Sequence, residues 1–340
     1  VPELVVIAEQ LLAPVPGGTG RYTAELLRAL AATAPPGWEV TGVVARRPDV
    51  RLDGVRVLPL PPRALIAAWQ LGLPYWPGGD AVHAPTPLAP PRGRVSVTVH
   101  DTVPWTHPET LTPRGVTWHR TMIRRAARRA RGLVVPTQAV ADDLRRWVPV
   151  RAPVRVAGHG VAAALSSGVE VADLPKRYVL AVGTLEPRKG IEVLLDAMTE
   201  LDVPLLLVGQ PGWGGVEPRG AGVRVLGRVS DAELATVLRH ASVLAAPSLA
   251  EGFGLPVLEA MAAGVPVVHS DAPALVEVAG GAGVCVPRGD AKALAAGLRE
   301  VLSSAGRAGE LIKAGLARAA EFSWERAAEA VWSIHQGPRL

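Results

Sequence analysis

Residues 247 to 266 read PSLAEGFGLPVLEAMAAGVP, and the rest of the chain is read outward from this stretch. Glu251 and Glu259 stand eight residues apart in it. Between them come Gly252-Phe253-Gly254 and Leu255-Pro256. Pro256 suits the first turn of a helix, where a missing N–H costs no hydrogen bond. Residues 257 to 263 are mostly strong helix formers, and Gly264 with Pro266 ends the run. Glu251 is therefore expected in a loop before a helix, with Glu259 about one turn inside it. The helix N-terminus offers a seat for an anion, and the two carboxylates could accept bonds from sugar hydroxyls. The plain alternative is a strand–loop–helix corner with one exposed and one capping glutamate. A pair of flanking carboxylates also suits general acid/base work of the glycosidase kind.

Apolar runs flank the stretch on both sides, at 242–246 and 265–269, and both read as buried strands. The same alternation fills the second half. Strands are expected at 178–182, 205–208 and 223–226, and helices at 191–200, 231–240, 291–305, 308–320 and 324–335. Ser230 and Glu233 form a capping box. Alternating strands and helices imply a parallel sheet. After the strand at 178–182 comes GTLEPRKG, residues 183–190. Arg188 and Lys189 on this glycine-bounded loop can neutralise a diphosphate, one as a planar fork and one as a point charge. Otherwise they decorate a solvated turn.

The first half opens with LVVIA at 4–8, a buried strand, then the loop APVPGGTG at 13–20 and a helix from Arg21. Gly18 and Gly20 let backbone approach a phosphate. A dinucleotide fingerprint would need Gly or Ala where Thr23 stands, so a dehydrogenase is disfavoured. The strand VSVTV at 95–99 ends in His100-Asp101, where open α/β sheets bind ligands. This pair can hydrogen-bond a substrate hydroxyl, or Asp101 can simply cap the next segment. Thr137 is expected to cap a helix at 138–147. Residues 114–131 hold seven arginines and no acid, with an apolar face of Trp118, Met122, Ile123, Ala126, Ala127 and Ala130. Such a helix suits anionic lipid headgroups, or it docks on its sheet with a solvated arginine face. Nucleic acid is not expected, because no recognition motif accompanies the charge.

The 340 residues exceed one ordinary core, so two domains are expected. The formal net charge of +5 is uneven, with 20 basic and 11 acidic residues in 1–160 and 16 and 20 beyond. The first half is thus expected to meet an anionic partner. The one cysteine, Cys285, fits a reducing compartment and reads as a buried small hydrophobe in the run GVCVP. No apolar run spans a bilayer, and the N-terminus lacks the basic segment of a signal peptide.

GTLEPRKG at 183–190, the stretch 247–268 and FSW at 322–324 resemble the retaining nucleotide-sugar glycosyltransferases of family 4. GGTGRYT, the His100-Asp101 pair with HPE at 107–109, RGLVVPTQAV and HGV at 159–161 extend the likeness over nearly the whole chain. Gly190 stands where Asn is common in the family. The resemblance implies the GT-B fold, an α/β architecture of two Rossmann-like, doubly wound parallel-sheet domains facing a central cleft. The domains would be 1–161 on the acceptor side and 176–322 for the nucleotide sugar. Residues 162–175 would link them, and a C-terminal helix in 323–340 would cross back.

By the same resemblance, Arg188 and Lys189 would hold the donor diphosphate, approached by Gly18 and Gly20. Gly252, Phe253, Gly254 and Leu255 would surround sugar and phosphate with their amides. Glu251 would sit beside the transferred sugar, reached also by His100, and Glu259 would hold the ribose. Arg228 and Val229 are candidates for base contact, and Asp101 and Thr137 for the acceptor side. The implied reaction moves a hexose with retention from a nucleoside-diphosphate sugar, with GDP-mannose common in this subgroup, to a hydroxyl of a lipid-linked glycan, polysaccharide or small molecule. No cofactor and no metal are expected, since the two cations take that role. A cytoplasmic enzyme is expected, with peripheral contact at the inner membrane face through 114–131. An epimerase or phosphorylase on the same fold, or a non-catalytic nucleotide-sugar-binding protein, would share these motifs.

Overall fold

Short, mainly apolar runs, most of them followed by a helix, build two parallel sheets in succession. The structure is a computed structural model, which describes residues 1–14, 17–48, 52 and 54–336. Two units divide the chain, Val1–Gly160 with the segment from Ser323 onward, and Val161–Phe322.

The strands of the first unit are β1 (Glu3–Ile7), β2 (Glu39–Val44), β3 (Val55–Val57), β4 (Ala81–Ala84), β5 (Val95–Thr98), β6 (Gly132–Val135) and β7 (Val154–Val156). They lie in the order β3-β2-β1-β4-β5-β6-β7, all parallel. Its helices are α1 (Gly17–Ala32), α2 (Pro62–Leu71), α3 (Val103–Thr106), α4 (Pro113–Arg129) and α5 (Gln138–Trp147). The second unit has β8 (Val179–Val182), β9 (Leu205–Val208), β10 (Val223–Gly227), β11 (Val243–Ala246), β12 (Val267–Ser270) and β13 (Val284–Val286), ordered β10-β9-β8-β11-β12-β13 and again parallel. Its helices are α6 (Ile191–Met198), α7 (Asp231–Arg239), α8 (Leu255–Ala262), α9 (Pro273–Ala279), α10 (Ala291–Ser303) and α11 (Ala305–Ala319). The last helix, α12 (Trp324–Gln336), packs on α1 in the first unit.

Both sheets are doubly wound, and in each the strand order reverses beside its first strand: between β1 and β4, and between β8 and β11. Ligands of such sheets bind outside the carboxyl ends at that reversal. The strands β4, β5, β6 and β9 are buried along their whole length; β6 and β9 read as continuous apolar runs, whereas β4 and β5 carry His83, Ser96 and Thr98 into the interior. Leu165, Val171 and Leu174, in the stretch expected to link the domains, pack on the core of the second unit.

Two local expectations change. Helix α1 begins at Gly17, not at Arg21, so Gly18 and Gly20 belong to its first turn. Burial of Tyr22 and Leu26 holds that turn, and Thr23 Oγ1 donates back to Thr19 O at 2.8 Å. Val15 and Pro16 of the same loop lie outside the described residues. Cys285 is exposed, because β13 is an edge strand and the pleat turns Val286, not Cys285, inward. Helix α4 takes the second of its two expected arrangements: Met122, Ile123, Ala126 and Ala127 are buried in the core of the first unit, while Arg124, Arg128 and Arg129 are exposed.

Candidate active site

Adjacent strands β8 and β11 each deliver a loop at the reversal of the second sheet, residues 183–190 and 247–254. The two loops are laced together. Leu249 N donates to Arg188 O at 2.8 Å. Gly190 has a left-handed backbone, φ 65°, and a Cβ there would stand 2.3 Å from Pro247 O. Only glycine fits so close an approach at that φ.

The lacing brings the sequence-singled cations onto Glu251. Lys189 Nζ donates to Glu251 Oε1 at 2.5 Å, and Arg188 Nη1 donates to Glu251 Oε2 at 3.0 Å and to Ala250 O at 2.8 Å. Arg188 Nη2 donates to Glu186 Oε1 at 2.5 Å, and Ser248 Oγ donates to Glu251 Oε1 at 2.8 Å. Burial pushes the Glu251 carboxyl up, but the charges of Lys189 and Arg188 and the bonds from Lys189 and Ser248 outweigh it, bringing it to about 2. Glu251 is thus a fixed carboxylate near neutral pH, unsuited to donate a proton.

A cleft of about 370 Å³ opens here, bordered by Gly183, Lys189, Ser248, Glu251, Gly254 and Pro256. Gly254, at φ 93°, turns the chain into α8, whose N-terminus borders the same cleft. The Phe253 side chain is buried and meets the Phe322 ring edge-on at 5.6 Å, so only its backbone is available to a ligand. Glu259, one turn into α8, is buried. Arg228 and Val229 follow β10 at the sheet edge, the first exposed and the second packed on the core.

The carboxyl ends of the first sheet carry the remaining residues. His100 follows β5, and its Nε2 lies 2.8 Å from Pro85 O. A carbonyl only accepts, so Nε2 holds the proton and Nδ1 the lone pair. Burial lowers the His100 pKa against the opposing pull of the Pro85 carbonyl and Asp101, which keeps the ring neutral. Asp101 Oδ1 accepts from Val103 N, the first residue of α3, at 3.1 Å; the cap position itself is Thr102. Thr137 caps α5, accepting from Val140 N at 3.2 Å. Gly18 and Gly20 sit in the first turn after β1.

Sequence reading overlooked Glu186 and Ser248. Both carried a signal: a carboxylate two residues before Arg188, and a hydroxyl three residues before Glu251. It also overlooked Tyr22, whose ring stands at 89° to His100 with centroids 4.7 Å apart. Nothing in its local pattern distinguishes it from a core tyrosine. Among the described residues no group of three or more His, Cys, Asp or Glu could hold a metal ion.

Residues 16–165 match the profile described as Glycosyltransferase Family 4, and residues 176–304 match Glycosyl transferases group 1. A phosphatidyl-myo-inositol mannosyltransferase of Mycobacterium leprae is 30% identical over 366 residues, covering 95% of this chain and 93% of that one. An O-antigen chain mannosyltransferase B of Escherichia coli is 40% identical over 162 residues, 44% of this chain and 42% of its own length. Among solved structures, a sucrose-phosphate synthase from Thermosynechococcus elongatus superimposes with a TM-score of 0.77 at 24% identity, covering 99% of this chain and 98% of that one. Anabaena HepE in complex with UDP-glucose superimposes with a TM-score of 0.72 at 18% identity, covering 99% and 100%.

Proposed function

This chain belongs to glycosyltransferase family 4 and has the GT-B fold, and from that premise we propose that it moves a hexose from a nucleoside-diphosphate sugar to an acceptor hydroxyl with retention. The donor is GDP-mannose or a related NDP-hexose. Relatives named as mannosyltransferases support the sugar. The acceptor is a lipid-linked glycan, a polysaccharide or a small molecule. The observation that carries the reading is the meeting of Arg188, Lys189 and Glu251 at one cleft beside the N-terminus of α8.

Each residue then has a task. Arg188 and Lys189 bind the diphosphate and stabilise the charge that grows on it as the C1–O bond breaks. With two fixed cations there, the reaction needs no metal. Gly18 and Gly20 approach the same diphosphate, and the amides of Gly252, Phe253, Gly254 and Leu255 surround sugar and phosphate. Glu251 accepts bonds from the sugar hydroxyls, and Glu259 accepts those of the ribose. His100 accepts a sugar hydroxyl at Nδ1. Arg228 and Val229 contact the base, and Asp101 and Thr137 line the acceptor side. The acceptor oxygen attacks C1 on the face the diphosphate leaves, and a donor phosphate oxygen takes its proton, so the anomeric configuration is kept. The enzyme works in the cytoplasm and meets the inner membrane face through the arginines of α4. No helix among the described residues is long and apolar enough to cross a membrane.

The test is titration calorimetry with GDP-mannose and UDP-glucose on wild-type protein and on Arg188→Ala/Lys189→Ala. Loss of two phosphate contacts should weaken donor binding by about 10²-fold or more. Unchanged affinity for whichever donor binds would reject the diphosphate site. Donor binding without transfer or hydrolysis would instead favour a non-catalytic binding protein.

A further inference from the structure

The first unit buries more polar groups than its proposed chemistry uses. His335 of α12, Ser96 and Thr98 of β5, His83 of β4 and Tyr22 of α1 are all buried. They form one connected chain. Ser96 Oγ lies 2.7 Å from His335 Nε2 and 2.8 Å from His83 Nδ1. Thr98 Oγ1 lies 3.2 Å from His83 Nε2 and 2.9 Å from Tyr22 OH. Donors and acceptors can run head to tail along this chain in either sense, from Tyr22 OH towards His335 Nε2 or the reverse. In both, Ser96 and Thr98 each donate once and accept once, and each imidazole is neutral, as burial demands.

The chain ends on the ring that meets His100. Tyr22 stands edge-on to the His100 imidazole at 4.7 Å, tilted on His159 at 4.8 Å and edge-on to Trp324 at 5.9 Å. His159 in turn stacks on Trp324 at 5.5 Å. His100 is held on its other side by the Nε2–H bond to Pro85 O. A single hydrogen bond leaves an imidazole free to swing about it, and a packed aromatic edge removes that freedom.

We propose that Tyr22 is a positioning residue for His100, fixing the direction of its Nδ1 lone pair, and that the buried chain Tyr22–Thr98–His83–Ser96–His335 fixes Tyr22. This rests on the reading that His100 contacts the transferred sugar. The donor does not touch Tyr22 in this scheme, so the ring acts on the rate only through His100.

The experiment compares Tyr22→Phe, Tyr22→Met and His100→Ala, with the double variant His100→Ala/Tyr22→Met. Phe keeps the ring and loses the bond to Thr98. Met fills much of the space without a ring. The probe is GDP-mannose turnover, read as kcat and KM, alongside imidazole nitrogen spectra of histidine-labelled protein. Tyr22→Met should lower kcat about 10-fold with KM changed less than about 3-fold, and Tyr22→Phe should retain at least about a third of wild-type kcat. In the His100→Ala background, Tyr22→Met should add less than about 2-fold. His100 should show one neutral tautomer, protonated at Nε2, in wild type and in Tyr22→Phe, and a mixture in Tyr22→Met. Full kcat in folded Tyr22→Met, or losses that multiply with those of His100→Ala, would overturn the proposal. A mixture of His100 tautomers in the wild type would overturn it even if Tyr22→Met did not fold. Undiminished turnover in His100→Ala would instead reject the role of His100, while the spectra would still report whether Tyr22 orients it.

Discussion

Glu251 holds the place between two cations that the donor's diphosphate would share. Lys189 and Arg188 already neutralise it at 2.5 and 3.0 Å, so a bound diphosphate meets a fixed negative charge as well as two positive ones. In the proposed scheme the hydroxyls of an attached sugar would engage that carboxylate. Without the sugar, only repulsion remains. Glu251→Gln should therefore bind free nucleoside diphosphate about 3- to 10-fold more tightly while losing about 10²-fold in transfer rate. Calorimetry with GDP and UDP checks this, and weaker binding by the variant would contradict it. Gly190→Ala forces a Cβ against Pro247 O at a left-handed φ and parts the two loops. A loss of about 2–4 kcal/mol in urea titration is expected, together with weaker donor binding. The two loops were legible as residues, because cations and carboxylates on glycine-bounded loops after strands stand out in the sequence. Glu186 two residues before Arg188 was a visible neighbour, but that Arg188 bonds both Glu186 and Glu251 depends on how the loop folds.

At the scale of elements, α12 and α4 carry the lessons. Helix α12 ends on two arginines, with Arg131 Nε donating to Ile334 O at 2.8 Å and Arg94 donating to His335 O. These bonds satisfy carbonyls that a helix end leaves open. At its start, Gly160 lets Trp324 come so near that a Cβ would stand 2.6 Å from Trp324 N. Gly160→Ala should displace that end and lower Tm by about 4–8 °C, measured by scanning calorimetry. Helix α4 spends its apolar face on the core, so any membrane contact must be electrostatic and come from exposed arginines such as Arg124, Arg128 and Arg129. Co-sedimentation with phosphatidylserine vesicles should occur at low salt, vanish near 0.5 M salt, and weaken in Arg128→Gln/Arg129→Gln. No sedimentation at low salt would reject the contact. The helix itself was plain in the sequence. Which of its faces stayed exposed depended on the sheet beneath it.

Over the whole molecule, protonation couples to stability. His83, His159 and His335 are each brought down to about 3, by burial first, then by neighbouring charge: His335 and His100 for His83, His100 for His159, and Arg94 and Arg131 for His335. In the unfolded chain each returns to about 6.5. Between those values the unfolded state binds more protons, so stability is lost as pH falls from about 6.5 towards 3. Glu251, lowered to about 2, adds stability above about 4.5 that is lost below it. Urea midpoints should be flat from pH 7 to 8 and should fall by the equivalent of about 2 kcal/mol or more between pH 6.5 and about 5, where histidines dominate the titration. A flat profile across that interval would show that the histidines are not buried as described. The sequence alone determined the two parallel sheets, the succession of strands and helices that feeds them, and the family, because apolar periodicity, caps and glycine loops act over a few neighbouring residues. Tertiary structure alone decided that Cys285 faces solvent on an edge strand, that Arg188 and Lys189 converge on Glu251, and that Tyr22 reaches His100. Those facts depend on which strands become neighbours, and contacts between residues 22 and 100 or 188 and 251 exist only once the sheets have closed.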